Sequence, residues 1–371
     1  MSYSAEMPPP LQSMDLLSRL LLTPTDEGEE SMAIRGALAR DVVAISREDF
    51  DHLVRLANSN HVIVRGMNIF LNMMHKVNDL VRAEWAASAL ATERARIATA
   101  LQYLDAICNA FESEKLDVTV MKSLDHWPDL GSDLDLFTNS DSVTITKFMT
   151  RRFKAQIAPR SMGDRLAGKW NFIVPGLPEA VEIHVRRLGQ TGEQVKIASG
   201  LQWSTQRVII EDRAFRVPSS SYRLMISTLQ RMYRHFYFRL CDIVDTAALV
   251  EDGRVDFQDL CIDAKKSDIW EGVATYLVIV SDYMTKYRGV GLNLPLFVRS
   301  AARFDGDNVY YAKEFLRVPI MPQSVGLYGE QLSGLLRKLE LRNGARLSLL
   351  PWLATAALVG QRITGSDKGI W

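Results

Sequence analysis

The chain has 371 residues, 47% of them apolar and 24% charged, with 44 Lys plus Arg against 44 Asp plus Glu. That length calls for two or three packed units with ample core, and a formal net charge of zero argues against a long nucleic acid as partner, since such binders carry a basic excess. Three cysteines (Cys108, Cys241 and Cys261), odd in number and without paired spacing, argue against zinc or a disulfide framework and fit a reducing cytoplasm.

The opening MSYSAEMPPP has no basic segment followed by an apolar run, so a signal peptide is not expected. After the proline-rich tail at Pro8-Pro9-Pro10 come a short apolar segment, 14–22, and an acidic loop, 23–30. Residues 31–112 read as helical: Phe50, Leu53 and Leu56, then Ile97, Leu101, Leu104, Ile107 and Phe111, recur at three- and four-residue spacing. Asn58, Ser59 and Asn60 mark a break between two helices. Met73-Met74-His75 reads as helical core with one buried or capped histidine, in preference to a ligand cluster. No fixed period repeats, which excludes a solenoid.

The pattern changes at Leu116. Residues 116–121 are a β-branched alternating run ending in Lys122-Ser123, and a second strand carries Asp133 and Asp135. A helix over 142–153 and a strand over 154–158 follow. A polar loop, 159–169, leads to strands at 170–174 and 180–186, joined by a turn at Pro175-Gly176-Leu177-Pro178. This is a small mixed sheet, without the regular strand–helix repeat of a doubly wound fold. Beyond Pro218-Ser219-Ser220-Ser221, whose serines offer an N-cap, the chain reads as helical to its end, with turns at Asp252-Gly253 and Asp305-Gly306. The apolar stretch 347–360 is interrupted by Pro351 and too short to span a bilayer; a buried terminal helix is expected. The fold class is therefore α+β: an N-terminal helical region (1–112), a small mixed-sheet core (113–216) and a C-terminal helical region (217–371).

Side chains on a strand alternate faces, so Asp133 and Asp135 project from one face and Glu182 and His184 share another. Neighbouring carboxylates repel unless a cation lies between them, and Mg²⁺ with substrate phosphates is the usual solution; an acidic edge strand facing water is the alternative. If the Glu182 strand adjoins the Asp pair, three carboxylates could hold two Mg²⁺ ions on a nucleotide's phosphates. Lys122 suits a phosphate contact or a structural ion pair. Ser123 and Ser132 could donate to phosphate, and His184 could orient Glu182, touch substrate or fill the core. Arg239 and Asp242, three apart on one helical face, could line a cleft or pair with each other. Gly163 to Lys169 has the spacing of a phosphate-binding P-loop, but Trp170 offers no hydroxyl and a strand follows where a helix is needed, so the match is rejected. Arg160, Arg165 and Lys169 in that loop could still meet phosphates, or simply be solvated.

These motifs resemble the nucleotidyltransferase superfamily, of polymerase-β-like fold, and within it a branch of uncharacterised bacterial nucleotidyltransferases. The signature is an apolar strand ending in Gly-[Gly/Ser], nine to thirteen residues, an acidic-apolar-acidic-apolar strand, and a later third acid. Here Ser123 is followed by nine residues and then Asp133-Leu134-Asp135-Leu136, with Glu182-Ile183-His184 later. Lys122 stands where the family has glycine, Glu182 where the branch has aspartate, and no arginine shortly precedes Asp133. A stretch from Tyr233 to Asp245 is similar to the branch's post-sheet helix of spaced histidine, basic residues and aspartate.

The resemblance, over roughly residues 112–288, implies transfer of a nucleoside monophosphate from an NTP to an acceptor hydroxyl, with release of pyrophosphate. It implies Mg²⁺ on Asp133, Asp135 and Glu182, with Lys122, Ser123, Ser132, His184 and Arg239 around the nucleotide. Residues 217–287 would form the far wall of the cleft. An alternative is a catalytically inactive nucleotide-binding or protein-interaction module. A third reading has the core modify a partner protein docked on the helical regions. The sequence does not name the acceptor.

Overall fold

The structure, a computed structural model, describes residues 9–23, 29–353 and 355–356. Its N-terminal part is helical: α1 (Pro9–Leu22), α2 (Glu29–Ala44), α3 (Arg47–Ser59), α4 (Ile63–Lys76) and α5 (Leu80–Ser113). Ser46 caps α3 by accepting the Asp49 N–H, and Asp79 caps α5 by accepting that of Arg82. The periodic residues Phe50, Leu53, Leu56, Ile97, Leu101, Leu104, Ile107 and Phe111 are all buried. The break at residues 58–60 falls where expected. Met74 is core as expected, but His75 is exposed and not buried.

The sheet comprises β1 (Thr119–Val120), β2 (Asp133–Thr138), β3 (Gln156–Ile157), β4 (Lys169–Ile173) and β5 (Ala180–Val185), with α6 (Ser142–Phe153) and α7 (Met162–Ala167) between β2 and β4. Its order is β1-β2-β5-β4-β3; β2 and β5 run parallel, and the other neighbours antiparallel. The expected loop over 159–169 instead contains α7. Ser161 and Asp164 form a reciprocal capping box, and Gly168 closes the turn at φ 69°.

Next come α8 (Val195–Leu201) and a hairpin that charged residues obscured in the sequence, β6 (Thr205–Ile210) with β7 (Arg213–Pro218). The C-terminal part contains α9 (Ser220–Gln230), β8 (Tyr237–Phe238), α10 (Leu240–Glu251), α11 (Phe257–Lys266), α12 (Trp270–Arg288), α13 (Leu296–Arg299), β9 (Tyr310–Ala312), β10 (Phe315–Arg317), α14 (Val325–Arg337) and α15 (Leu341–Leu347). It is not helical throughout. A three-stranded sheet, β8-β10-β9, interrupts it and breaks the helix expected over 233–245. Phe236 adopts a left-handed φ of 55°, and the aromatic alternation that follows pairs with β10, burying Phe238 against Tyr276. In the apolar stretch 347–360, Leu347 and Leu353 are buried but Trp352 is 76% exposed, and residues 357–360 lie outside those described. So do Pro8 and most of the acidic loop. No helix among the described residues is long and apolar enough to cross a membrane.

The architecture is α+β: a small mixed sheet between N- and C-terminal helical regions. The two faces of the sheet have different partners. Leu134, Leu136, Val181 and Ile183 join the core shared with the N-terminal helices. Phe137, on the Asp133/Asp135 face, joins the core built from α8 to α12. The acidic face therefore looks toward the C-terminal region, and a cleft lies between them.

Candidate functional site

Pairing between strands assembles the site. The parallel register sets Asp135 beside Glu182 and Phe137 beside His184, while antiparallel β4 sets Asn171 opposite Glu182 and Lys169 opposite His184. Paired residues share a face, so Asp133, Asp135, Glu182, His184 and Lys169 project to the same side. Ligating atoms of Asp135, Glu182 and His184 all lie within 4.8 Å of one another. Asp133, one pleat nearer the strand start, stands exposed at the rim.

Two ammonium groups already face this pair. Lys122 Nζ lies 2.6 Å from Asp135 Oδ1, and Lys169 Nζ lies 2.9 Å from both Glu182 Oε2 and Asp164 Oδ1. Asp135 Oδ1 is buried, and the Lys122 ammonium is its charged partner. Burial pushes the Asp135 carboxyl up to about 7, with Lys122 pulling it back and Glu182 repelling it. Burial acts on Glu182 too, but the His184 hydrogen bond and the charges of Lys122 and Lys169 hold it well below the usual carboxylate range. His184, lowered by burial against the pull of Glu182, sits with Nε2 2.8 Å from Glu182 Oε1. A neutral imidazole donating there leaves Nδ1 buried without a partner.

A tight turn leads into β2. Lys122 has φ 49°, the left-handed conformation in which glycine is at ease, at a cost of roughly 1–2 kcal/mol for a lysine. Ser123 Oγ accepts the Asp135 N–H at 2.8 Å and donates to the Asp133 carbonyl at 3.2 Å, which locks the turn to the acidic strand.

The opposite wall comes from the end of α9 through the start of α10. It contributes Gln230, Arg231, Arg234, His235, Tyr237 and Arg239 to a cavity of about 240 Å³ also lined by Lys122, Ser123, Ser132, Asp133, Asp135, Lys169 and Glu182. Arg231 is held by Asp242 at 2.7 Å, and the same carboxylate accepts the Arg239 backbone N–H at 2.7 Å. Arg239 is therefore the residue before α10, not on its face, and its guanidinium turns into the cavity. Neither Arg234 nor Arg239 makes a salt bridge among the described residues, and Arg239 Nε is buried without an acceptor. Five basic residues (Lys122, Lys169, Arg231, Arg234, Arg239) line the cavity with three acids (Asp133, Asp135, Glu182), and Asp164 and Asp242 pair with Lys169 and Arg231 behind them.

Of the residues expected at a nucleotide, Lys122, Ser123, Ser132 and Arg239 line one cavity with the three carboxylates. His184 lies behind Glu182 and lines the smaller adjoining pockets. The sequence reading did not single out Arg231 or Tyr237, although the stretch from Tyr233 to Asp245 pointed to this segment. His61 reaches the rim from the α3–α4 connection, where no local motif announced it. Beside it, His126 and Cys241 bring a second set of ligating atoms within 4.8 Å of one another.

No family model matches the chain, and no curated protein matches it. Among solved structures, the chain is similar to an antigenic nucleotidyltransferase-like protein from Paracoccidioides brasiliensis. The two share 14% identity over 46% of this chain and 90% of that one, with a TM-score of 0.30. At that TM-score the likeness carries no argument about fold or activity.

Proposed function

We propose that the cavity binds a nucleoside triphosphate with Mg²⁺ and that the chain transfers the nucleoside monophosphate to an acceptor hydroxyl. One observation carries this reading: Asp135 and Glu182 lie side by side on parallel strands and face an arginine wall. A hard divalent cation fits the oxygen donors, because Asp135 and Glu182 present carboxylate oxygens within 4.8 Å of each other and the Lys122 ammonium already holds a cation's place at Asp135 Oδ1. Asp135, Glu182 and Asp133 would hold it. Bound there, Mg²⁺ supplies positive charge to the phosphates and the developing oxyanions.

The chain's own groups do the rest. Arg239 and Arg234, which have no salt-bridge partner among the described residues, bind phosphate oxygens, and Lys122 moves from Asp135 to the incoming phosphate. Tyr237, stacked on Phe315 with ring centroids 4.4 Å apart, is the cavity's aromatic surface and suits a nucleobase. The acceptor oxygen bonds to the α-phosphorus as the bond to the bridging oxygen breaks and pyrophosphate leaves. The hydroxyl proton passes to the carboxylate pair. Glu182, held low by its hydrogen bond to His184 and by the charges of Lys122 and Lys169, stays an ionised ligand.

A second reading rests on the two lysines. Lys122 and Lys169 already neutralise Asp135 and Glu182, which favours a module that binds nucleotide without metal and without turnover. Calorimetry and thermal shift with each NTP, with and without Mg²⁺, separate the two. Nucleotide binding that requires Mg²⁺ and disappears in Asp135→Asn/Glu182→Gln supports the transferase, which labelled NTP then tests for an acceptor. Binding indifferent to Mg²⁺ and retained in that variant favours the module. Binding of no NTP by the parent sinks both.

A further inference from the structure

We infer that His61, His126 and Cys241 form a separate site for a zinc-type transition metal, with its open coordination position toward the cavity. Three distant segments supply the donors: the α3–α4 connection, the connection between β1 and β2, and the start of α10. Their ligating atoms all lie within 4.8 Å of one another, and Cys241 Sγ is 3.8 Å from His126 Nε2. Tetrahedral zinc with bonds of about 2.3 Å to sulfur and about 2.0 Å to nitrogen sets those atoms roughly 3.5 Å apart. Cys241 and His126 are within a few tenths of an ångström of that spacing, and His61 closes on them by at most about 1 Å.

The surroundings are those of a metal-binding histidine. Asp245 Oδ2 lies 2.5 Å from His126 Nδ1, which fixes that nitrogen as the donor and turns Nε2 to Cys241. Asp245 is itself held by Arg65 Nη1 at 2.6 Å, and Arg65 Nε by the buried Asp129 at 2.7 Å. Cys241 lies in the first turn of a twelve-residue helix; burial pushes its thiol up against the pull of His126, so a metal takes the place of the thiol proton. Its backbone N–H donates to the Asn60 carbonyl at 3.2 Å, so the residue preceding His61 is tied directly to the cysteine. The two imidazoles and one thiolate are soft donors that select zinc over magnesium, in contrast to the oxygen donors of Asp135 and Glu182. Arg239 Nη1 lies 3.4 Å from His61 Nδ1, and a bound metal displaces it toward the cavity. Both histidines line the cavity, which leaves the fourth position to water or to a donor atom of the substrate.

The test uses the full chain, stripped with chelator and titrated with Zn²⁺ and with Co²⁺ as a spectroscopic probe. One equivalent of either is expected to bind, and the Co²⁺ form to show a sulfur-to-metal charge-transfer band. Cys241→Ser abolishes the band, His61→Gln and His126→Gln weaken Zn²⁺ binding, and Asp245→Asn weakens it by about 10–100-fold. Asp135→Asn/Glu182→Gln binds Zn²⁺ as the parent does. Circular dichroism of each variant checks folding. If Cys241→Ser does not fold, His61→Gln, at a part-exposed position, carries the test. Absence of a stoichiometric metal, or a charge-transfer band unchanged in Cys241→Ser, overturns the inference. Zn²⁺ affinity unchanged in folded His61→Gln and His126→Gln overturns it as well.

Discussion

Lys122 occupies the turn before the acidic strand in a left-handed conformation, and its ammonium sits on the buried Asp135. Removing one member of a buried ion pair typically costs about 3–5 kcal/mol, because the other charge is left uncompensated. Lys122→Met is therefore expected to lower the urea midpoint without Mg²⁺ and to enlarge the Mg²⁺-induced shift, since a competing cation is gone. An unchanged Mg²⁺ shift would count against competition between lysine and metal. Asp164 allows a pH test at the carboxylate that shares Lys169 with Glu182. Burial raises its pKa, but Lys169 and the Ser161 N–H and hydroxyl outweigh it and leave the carboxyl below its ordinary value. Its contribution is thus present above the ordinary carboxylate range and lost as pH falls through the lower folded value. Asp164→Asn should cost about 1–2 kcal/mol near pH 7, and the gap from the parent should narrow near pH 3. A constant gap across that window would exclude the linkage.

At the scale of elements, one hydroxyl decides whether the turn and β2 stay in register. Ser123 is 2% exposed and its Oγ satisfies the Asp135 N–H. Ser123→Ala leaves that buried donor without a partner, at a cost of about 1–3 kcal/mol. Amide exchange at Asp135 should accelerate in the variant while exchange in α5 keeps its parent rate. Equal acceleration in both would show a loss of global stability and not of the local lock. The β8 segment has the same dependence on contacts remote in sequence. Two residues of strand exist there because β10, about eighty positions later, supplies the pairing partner.

Across the whole molecule, the N-terminal helices hold the C-terminal region in place through Asn60, which is fully buried. Its Oδ1 accepts the Leu240 N–H at 3.1 Å, capping α10, and its Nδ2 donates to the Leu56 and Glu314 carbonyls at 3.0 and 3.1 Å. Ser18 Oγ and Tyr283 OH, 2.7 Å apart, add a second tie between α1 and α12. Asn60→Ala should destabilise the chain by about 2–4 kcal/mol, since several buried backbone groups lose partners together. Urea unfolding followed by tryptophan fluorescence and by circular dichroism should shift in parallel. Separate transitions by the two probes would show that the regions unfold independently.

The sequence by itself determined the local structure that short-range periodicity encodes. It supplied the N-terminal helices through their three- and four-residue apolar spacing, α6 to its end residues, and the alternation that puts Asp133 with Asp135 and Glu182 with His184. It could not determine neighbours across strands, because pairing partners depend on contacts remote in sequence. The parallel register of Asp135 with Glu182, the two lysines on those carboxylates and the arginine wall were set by packing. So was the meeting of His61, His126 and Cys241, whose separation along the chain hides them from any spacing rule. Where local pattern and tertiary contact disagreed, as at Phe236 to Phe238, pairing with the distant strand β10 and burial of Phe238 against Tyr276 of α12 outweighed helix propensity.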